Sequence, residues 1–596
     1  MYVKIPRSAE LLGAAALLAW AAPAADTSFL PNSATRAFNA LGHRYLNEVH
    51  YRFSPSAATA DGLHEFDNQL EDYSPAGRQK QISTLNAWEK KISAVNPAGL
   101  SADAAGDREI LLNSIRGDLL DLEVIRTWEK NPGFYSEGVA RSINSIVSRE
   151  YAPADTRLRA VIQREKQIPR VFVWARRSLK SPAKVYTELA LSQIESTVSF
   201  FRNAVPQAFA TAGDARAKAE FAQANAAVVR ALEDYYAWVK ADALPNSNGD
   251  FRYGTDTYRK ALAYREMVDT PLERLLQLGY DDLRLNQSEF ARLTRELDPD
   301  RTPQQELAAL QALHPPADGL LKAFRDQFES EIVFIQQHGL ITLPPGAPEV
   351  VELPAFLRDN GYNAAMDVSG PFEKQSVKAL LSVPVPGSNW TAERTEEHLA
   401  TFNFPAIVAI SIHEAYPGHY VQLTRANAVP SEVRRAFQTN STVEGWAQYA
   451  EQMMFEEGFA RPTPGATPEQ QRQIRTTEMG MLQNALLGDA CLITAIRMHT
   501  GVGGAMSVDE AAEFFVKEGY QSAASARGNA LRGTFDALDL YYAMGKLAIL
   551  KLRGDYRRQQ DTAFSLKEFN DTFVSQGSAP IKIIRRALLR NDSPVL

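Results

Sequence analysis

The chain has 596 residues, 45% of them hydrophobic and 23% charged, with a formal net charge of −7. That length supports a large buried core, and the composition excludes an intrinsically disordered chain. The acidic balance argues against non-specific binding to nucleic acid, which needs a basic face, so no nucleic-acid partner is expected.

The first residues read as an export signal. Lys4 and Arg7 form a positive stretch, residues 11–22 are an apolar run, and Ala22-Pro23-Ala24 supplies small residues for cleavage. The run is too short to span a membrane comfortably. A signal peptide over residues 1–25 is therefore expected, with an exported protein, periplasmic or secreted, and no stable membrane insertion after its removal. The only cysteine is Cys491. A lipid anchor behind the signal and an internal disulfide are both excluded on that ground. Cys491 lies in the apolar run 486–496 and is expected in the core.

From Ser33 the chain turns helical, with Phe38, Leu41, Tyr45 and Val49 on one stripe. His64-Glu65 has no second histidine after it and reads as a solvated turn. Residues 75–335 read as long amphipathic helices. Thr270-Pro271-Leu272-Glu273 is a predicted capping box that opens the stripe Leu272, Leu275, Leu276, Tyr280, Leu283. Over residues 338–392 the character changes. Seven prolines stand at 344, 345, 348, 354, 371, 384 and 386, and short β-prone pieces occur at 340–343, 350–353 and 380–383. A small sheet is predicted there, with an edge strand placed to hold extended peptide through its backbone. Helices return at 393–401 and 404–413. Residues 477–500 are apolar on more than one side, hence buried. Ser507-Val508-Asp509-Glu510 and Ser565-Leu566-Lys567-Glu568 are further capping boxes. The predicted divisions are a signal at 1–25, a helical region at 26–337, the β patch at 338–392 and a helical metal-binding region at 393–596, packed together as one large unit. No internal repeat is evident, and nothing in the sequence signals an oligomeric state.

Two of the nine histidines fall within Ile412-His413-Glu414-Ala415-Tyr416-Pro417-Gly418-His419. Two imidazoles with a glutamate beside the first are a zinc-site pattern, usually spaced H-E-x-x-H. Here the second histidine is at i+6. On an ideal helix that leaves it roughly 120° around from the first. Pro417 removes a backbone donor and crowds the preceding turn, and Gly418 permits unusual dihedrals. A bulge in the helix is therefore predicted to return His419 to His413. Glu444 follows 25 residues after His419, placed as a third ligand from the next helix with the fourth position left for water. Gln448 and Glu451 share its face, with Glu451 the next ligand candidate after Glu444. Zn²⁺ is the expected metal, and the residue types alone also admit iron(II). Glu414 is the expected general base toward metal-activated water.

These motifs, with Gln422, Gly445-Trp446-Ala447, Tyr449, Arg532-Gly533-Thr534-Phe535-Asp536 and Tyr541-Tyr542-Ala543-Met544-Gly545-Lys546-Leu547, resemble the bacterial domain-of-unknown-function 885 family. The resemblance runs from about residue 57 to the C-terminus and is dense over 405–555. It implies a mainly α, gluzincin-like fold related to thimet oligopeptidase-type peptidases, with zinc at the H-E-x-x-x-G-H site. One departure is Ala495, where many members carry an aspartate four residues before the position of His499.

On that resemblance Tyr542 is the first candidate to donate to a developing oxyanion, with Tyr541 the alternative. Arg532 is placed to bind a substrate carboxylate, and His499 to assist as a second donor. The chain has neither a phosphate-binding P-loop nor a G-x-S-x-G elbow. The expected function is an exported zinc metallopeptidase-like hydrolase with a peptide substrate. The competing reading is a non-catalytic helical envelope protein that binds peptides or metal. Glu414 weighs against it, since a binding protein has no need of a base beside a metal.

Overall fold

The computed structural model describes residues 32–358, 363–375, 377–460, 465 and 467–596; the predicted signal peptide lies outside them. The fold is mainly α, with one three-stranded sheet among the described residues. The apolar stripes read from the sequence explain why. In the helix Leu272–Leu297, Leu272, Leu275, Leu276, Leu283, Phe290 and Leu293 are all buried on one side. From Thr476 onward the helix Pro468–Thr500 is buried nearly all round, including Cys491. It is long and apolar enough to cross a membrane, yet 78% of its most apolar window is buried inside the protein. It is the central core helix, with the helix Leu272–Leu297 and the motif helix Phe404–Glu414 packed against it.

The main core runs from Phe38 to Val595 and gathers the first and last helices of the described residues. A second core is enclosed by the helices Gly133–Val147, Ala154–Glu165, Ile168–Ser178, Lys184–Ser199 and Ala215–Trp238. A third, smaller core lies under the sheet, around Leu320, Phe324, Leu381, Val383 and Ile407. The sheet has β1 (Glu349–Glu352), β2 (Ala365–Asp367) and β3 (Leu380–Val383) in the order β1-β3-β2. β1 runs parallel to β3, and β2 antiparallel, with Met366 opposite Leu381. β2 is thus an edge strand.

Local expectations fared unevenly. Ser507 and Glu510 form their reciprocal box, and Ser565 caps Glu568 N–H. Thr270 does not cap. Pro271 itself is the cap residue, which puts Thr270 one position too early to reach the first turn. Residues 340–343 form no strand. Gly339, at φ +60°, turns the chain out of the preceding helix. The side chains of Asn570 and Asp571 then take the bonds a ladder would supply, at Leu340 O (2.9 Å) and Thr342 N (2.8 Å). His64 is no solvated turn: it stacks on Tyr151 at 3.7 Å and bonds Glu373 at 2.9 Å.

The second core contains a buried carboxyl, Glu165. Asn225 donates to one oxygen at 3.0 Å and the other has no partner. Burial pushes this carboxyl up to about 8, against an ordinary value of 4.5, with the Asn225 bond opposing weakly. The folded state therefore holds the proton more tightly than the unfolded chain. The group's contribution to stability is complete below about pH 4.5 and is lost as the pH rises through about 8. Between pH 5 and 9 the melting temperature of wild type should fall more steeply than that of Glu165→Gln, by the equivalent of a few kcal/mol. Parallel profiles by scanning calorimetry would refute this.

Candidate metal centre

The motif helix carries Ile407, Ala409 and Ile412 into the core and ends at Glu414. A new helix, His419–Ala426, begins at the second histidine. The chain therefore breaks between the two, where a bulge in one continuous helix was expected. Pro417 follows Tyr416 through a cis peptide bond. Gly418 N–H then donates back to Ile412 O at 3.0 Å. The approach is so close that a Cβ at 418 would stand 1.8 Å from His413 O. Trp446 Nε1 donates to Pro417 O at 2.9 Å and ties the break to the helix Asn440–Glu456. The result is two imidazoles 4.7 Å apart between centroids and nearly perpendicular, at 89°.

Glu444 projects between them from the helix Asn440–Glu456. Its Oε2 lies 3.4 Å from His413 Nε2 and 3.3 Å from His419 Nε2. One donor atom from each of the three falls within 4.8 Å of the others. Two imidazole nitrogens and a carboxylate oxygen converging on one point suit a divalent transition metal, zinc among them. Burial opposes charge on His413, but hydrogen bonds to Glu444 and Glu451 raise it well above its ordinary value. Burial also works to raise Glu444, and the two histidines outweigh it, holding the carboxylate far below its usual range.

Around this trio stand partners that the sequence did not reveal. His413 Nδ1–H donates to Glu451 Oε1 at 2.8 Å, and Asn484 Nδ2 donates to Glu451 Oε2 at 3.3 Å. Glu451 thus fixes the tautomer that leaves Nε2 toward Glu444, the usual second support of a metal-binding histidine. Its place on the Glu444 face was readable; its task was not. Glu266, buried in a distant helix end, accepts from Ser441 N–H at 2.9 Å and anchors the start of the Glu444 helix.

Glu414, only 7% exposed, accepts from Met366 N–H at 2.9 Å. Burial pushes this carboxyl above its ordinary value, the two histidines opposing. Met366 lies in edge strand β2, so the sheet's outer edge abuts the predicted base. Arg149 grips the neighbouring Asp367, Nε to Oδ2 at 3.1 Å, and holds that strand from the N-terminal helices.

The helix Asn440–Glu456 crosses the helix Tyr541–Gln560 at two glycines. A Cβ on Gly445 would lie 2.5 Å from Gly545 Cα. This contact sets Tyr542 near Glu444, whose charge adds to burial in raising the phenol. Arg532 Nη2 donates to Tyr542 OH at 3.1 Å and to Tyr541 OH at 3.0 Å, and pairs with buried Asp539 at 2.9 Å. Tyr542 accepts from Arg532, so its own hydrogen remains to be donated. Tyr541 has spent its hydrogen on Asp536 at 2.7 Å. The expected pairing of Arg532 with a substrate carboxylate meets an internal competitor in Asp539. His499 needs correction. Its Nε2 donates to Gly533 O at 2.7 Å and its ring is enclosed by Phe251, Tyr253 and Tyr258. Burial pushes it down to about 4. It supports the end of the helix that carries Arg532 and none of its hydrogen-bond or ring partners belongs to the trio. Ala495 is buried in the main core.

The family model described as bacterial protein of unknown function, DUF885, matches residues 55–588. A solved structure described as a lipoprotein of unknown function, from Shewanella oneidensis, is 27% identical with a TM-score of 0.76, covering 93% of this chain and 99% of that one. Another, described as a lipoprotein from Colwellia psychrerythraea, gives a TM-score of 0.73 at 15% identity, covering 94% and 99%. At that identity it shows the fold alone. No curated protein matches the sequence.

Proposed function

The chain belongs to the DUF885 family of bacterial proteins, and from that premise we propose that it is an exported, metal-dependent hydrolase of peptide bonds. The observation that carries this reading is the convergence of His413, His419 and Glu444 within 4.8 Å, with a separate buried carboxyl, Glu414, beside them. His413, His419 and Glu444 would hold the metal, with zinc favoured by the donor set. Zinc bound there would supply a Lewis acid and make a water acidic enough to ionise near neutral pH.

The chain's own residues supply the rest. Met366 N–H holds Glu414 Oε2, which leaves Oε1 to take a proton from water and return it to the leaving amine. Tyr542 donates its hydrogen to the carbonyl oxygen as negative charge gathers there, and Arg532 holds the phenol in place. On the outer edge of β2 Met366 N–H is held by Glu414, which leaves Met366 O to accept from an extended peptide. Export is supported by the predicted signal and by the solved relative from Shewanella oneidensis, which is described as a lipoprotein of unknown function. Cys491, the only cysteine, is buried in the core helix and offers no anchor.

Purified protein should contain about one metal per chain and turn over a mixed peptide library. Metal without turnover would favour the binding-protein alternative; neither would end the proposal. A thiol plays no part in it. Burial, helped by Asp539, pushes Cys491 well above its ordinary value, so it carries no thiolate. Cys491→Ser should keep its metal and nearly all of its turnover in the same assay. Lost turnover in a folded, metal-replete variant would contradict the mechanism.

A further inference from the structure

The helix Ile168–Ser178 turns Ile168, Val171, Phe172 and Ala175 into the second core. Its outer side presents Arg170, Val173, Trp174, Arg176 and Arg177. On an α-helix these five fall within an arc of about 160°, opposite the buried stripe. Val173 is 47% exposed and Trp174 is half-buried. The helix holds no acidic residue. Residues 166–184 carry Lys166, Arg170, Arg176, Arg177, Lys180 and Lys184 and neither Asp nor Glu, in a chain whose net charge is −7.

Many exposed cations of this protein stand beside an acid on their own helix, as Arg44 beside Glu48 and Lys517 beside Glu513. Such pairs make an ordinary solvated face. Arg170, Arg176 and Arg177 have no ion-pair partner among the described residues. The nearby acids are taken elsewhere, Glu129 by Lys180, Glu188 by Lys184 and Glu220 by Lys166. A second observation is independent of charge: the guanidiniums lie over indoles. Arg170 and Arg177 stand 5.6 and 5.1 Å from the Trp174 ring, and Arg176 stands 5.9 Å from that of Trp238. Past the last turn Arg78 reaches Ser178 Oγ at 3.4 Å and lies over Trp128 at 3.6 Å. A layer of anionic head groups attracts clustered cations and takes indole rings at head-group depth. A soluble polyanion offers the charge without that partly apolar depth.

We propose that the outer side of this helix docks the folded protein on an anionic phospholipid surface, Arg170, Arg176 and Arg177 meeting the phosphates and Trp174 lying among the head groups. The contact is peripheral and inserts no span. It is independent of the hydrolase reading and is measured without turnover.

The test is co-sedimentation of the full-length protein with vesicles of phosphatidylcholine alone, or of phosphatidylcholine and phosphatidylglycerol in equal parts. Wild type should bind the mixed vesicles at least about tenfold more tightly than the neutral ones. Binding should vanish at about 1 M salt, where the screening length is about 3 Å. Neutralising Arg170, Arg176 and Arg177 together to Gln should weaken binding about a hundredfold, roughly fivefold for each charge. Trp174→Ala removes no charge and should weaken it about fivefold. The control neutralises Lys322, Arg325 and Lys517, three exposed cations on other helices, and should stay within about twofold of wild type. The three arginines are exposed, so their variant decides the matter if Trp174→Ala fails to fold. Equal binding to both vesicles, unchanged affinity in the arginine variant, or an equal loss in the control would each overturn the proposal. Tighter binding to soluble heparin, per anionic group, would overturn it in favour of an acidic polymer.

Discussion

Glu414→Gln should purify with as much metal as wild type and hydrolyse peptide about 10²–10⁴-fold more slowly, toward the upper end if the carboxylate is the sole base. Glutamine keeps the shape and an oxygen for Met366 N–H, and position 414 is outside the donor trio. Only the ability to take a proton is lost. Glu444→Ala should differ in kind. It removes the carboxylate that both Nε2 atoms face at 3.4 and 3.3 Å, so metal affinity falls and turnover falls with it. Metal analysis by mass spectrometry at limiting free metal, beside kcat, separates the two. Full zinc in Glu444→Ala would move the third ligand elsewhere. A fully active Glu414→Gln would end the hydrolase reading.

Gly545→Ala should destabilise the fold by about 3 kcal/mol or more, at or beyond the top of the usual overpacking range. A Cβ there would stand 2.1 Å from Ser441 O and 2.7 Å from Gly445 Cα. Both neighbours are backbone of the helix that carries Glu444, so neither can move aside without moving the ligand. Metal affinity should drop along with the urea midpoint. Gly528→Ala is the internal control. It lies in the helix Ala523–Phe535 with nothing within 4 Å of its Cβ, and should be neutral or stabilising by up to about 1 kcal/mol. Equal midpoints for Gly545→Ala and wild type would show that the glycine crossing has slack.

The helices were legible because their signal is local. Leu272, Leu275, Leu276 and Leu283 repeat at helical spacing, and they are the residues that the core buries. The donor trio was legible for a related reason: histidine, glutamate, proline and glycine at short spacing advertise both the chemistry and the disturbed helix. How the helix was disturbed was not legible. A bulge and a break share the same residues, and the bond that ties the break in place comes from Trp446, 29 residues beyond Pro417. The supporting partners are more distant still. Met366 reaches Glu414 from 48 positions away, and Glu266 reaches Ser441 from 175. β2, with the sequence Ala-Met-Asp, has no strand signal of its own, and exists because β3 pairs with it. His499 was misplaced because family resemblance gives a position along the chain and not the side on which a ring faces.

The main core joins Phe38 to Val595, and this has a consequence for how the molecule comes into being. The Glu444 helix starts on Glu266 and packs along its length against Gly545 and its neighbours. A nascent chain that has already delivered both histidines still lacks the surface that aligns the third ligand. Contacts of such sequence separation form late, because the intervening loop must be closed before they return any stabilisation. Assembly of the centre is therefore expected in the final stage of folding, after the last helices are made. A truncated product would leave a large apolar face uncovered and open to aggregation.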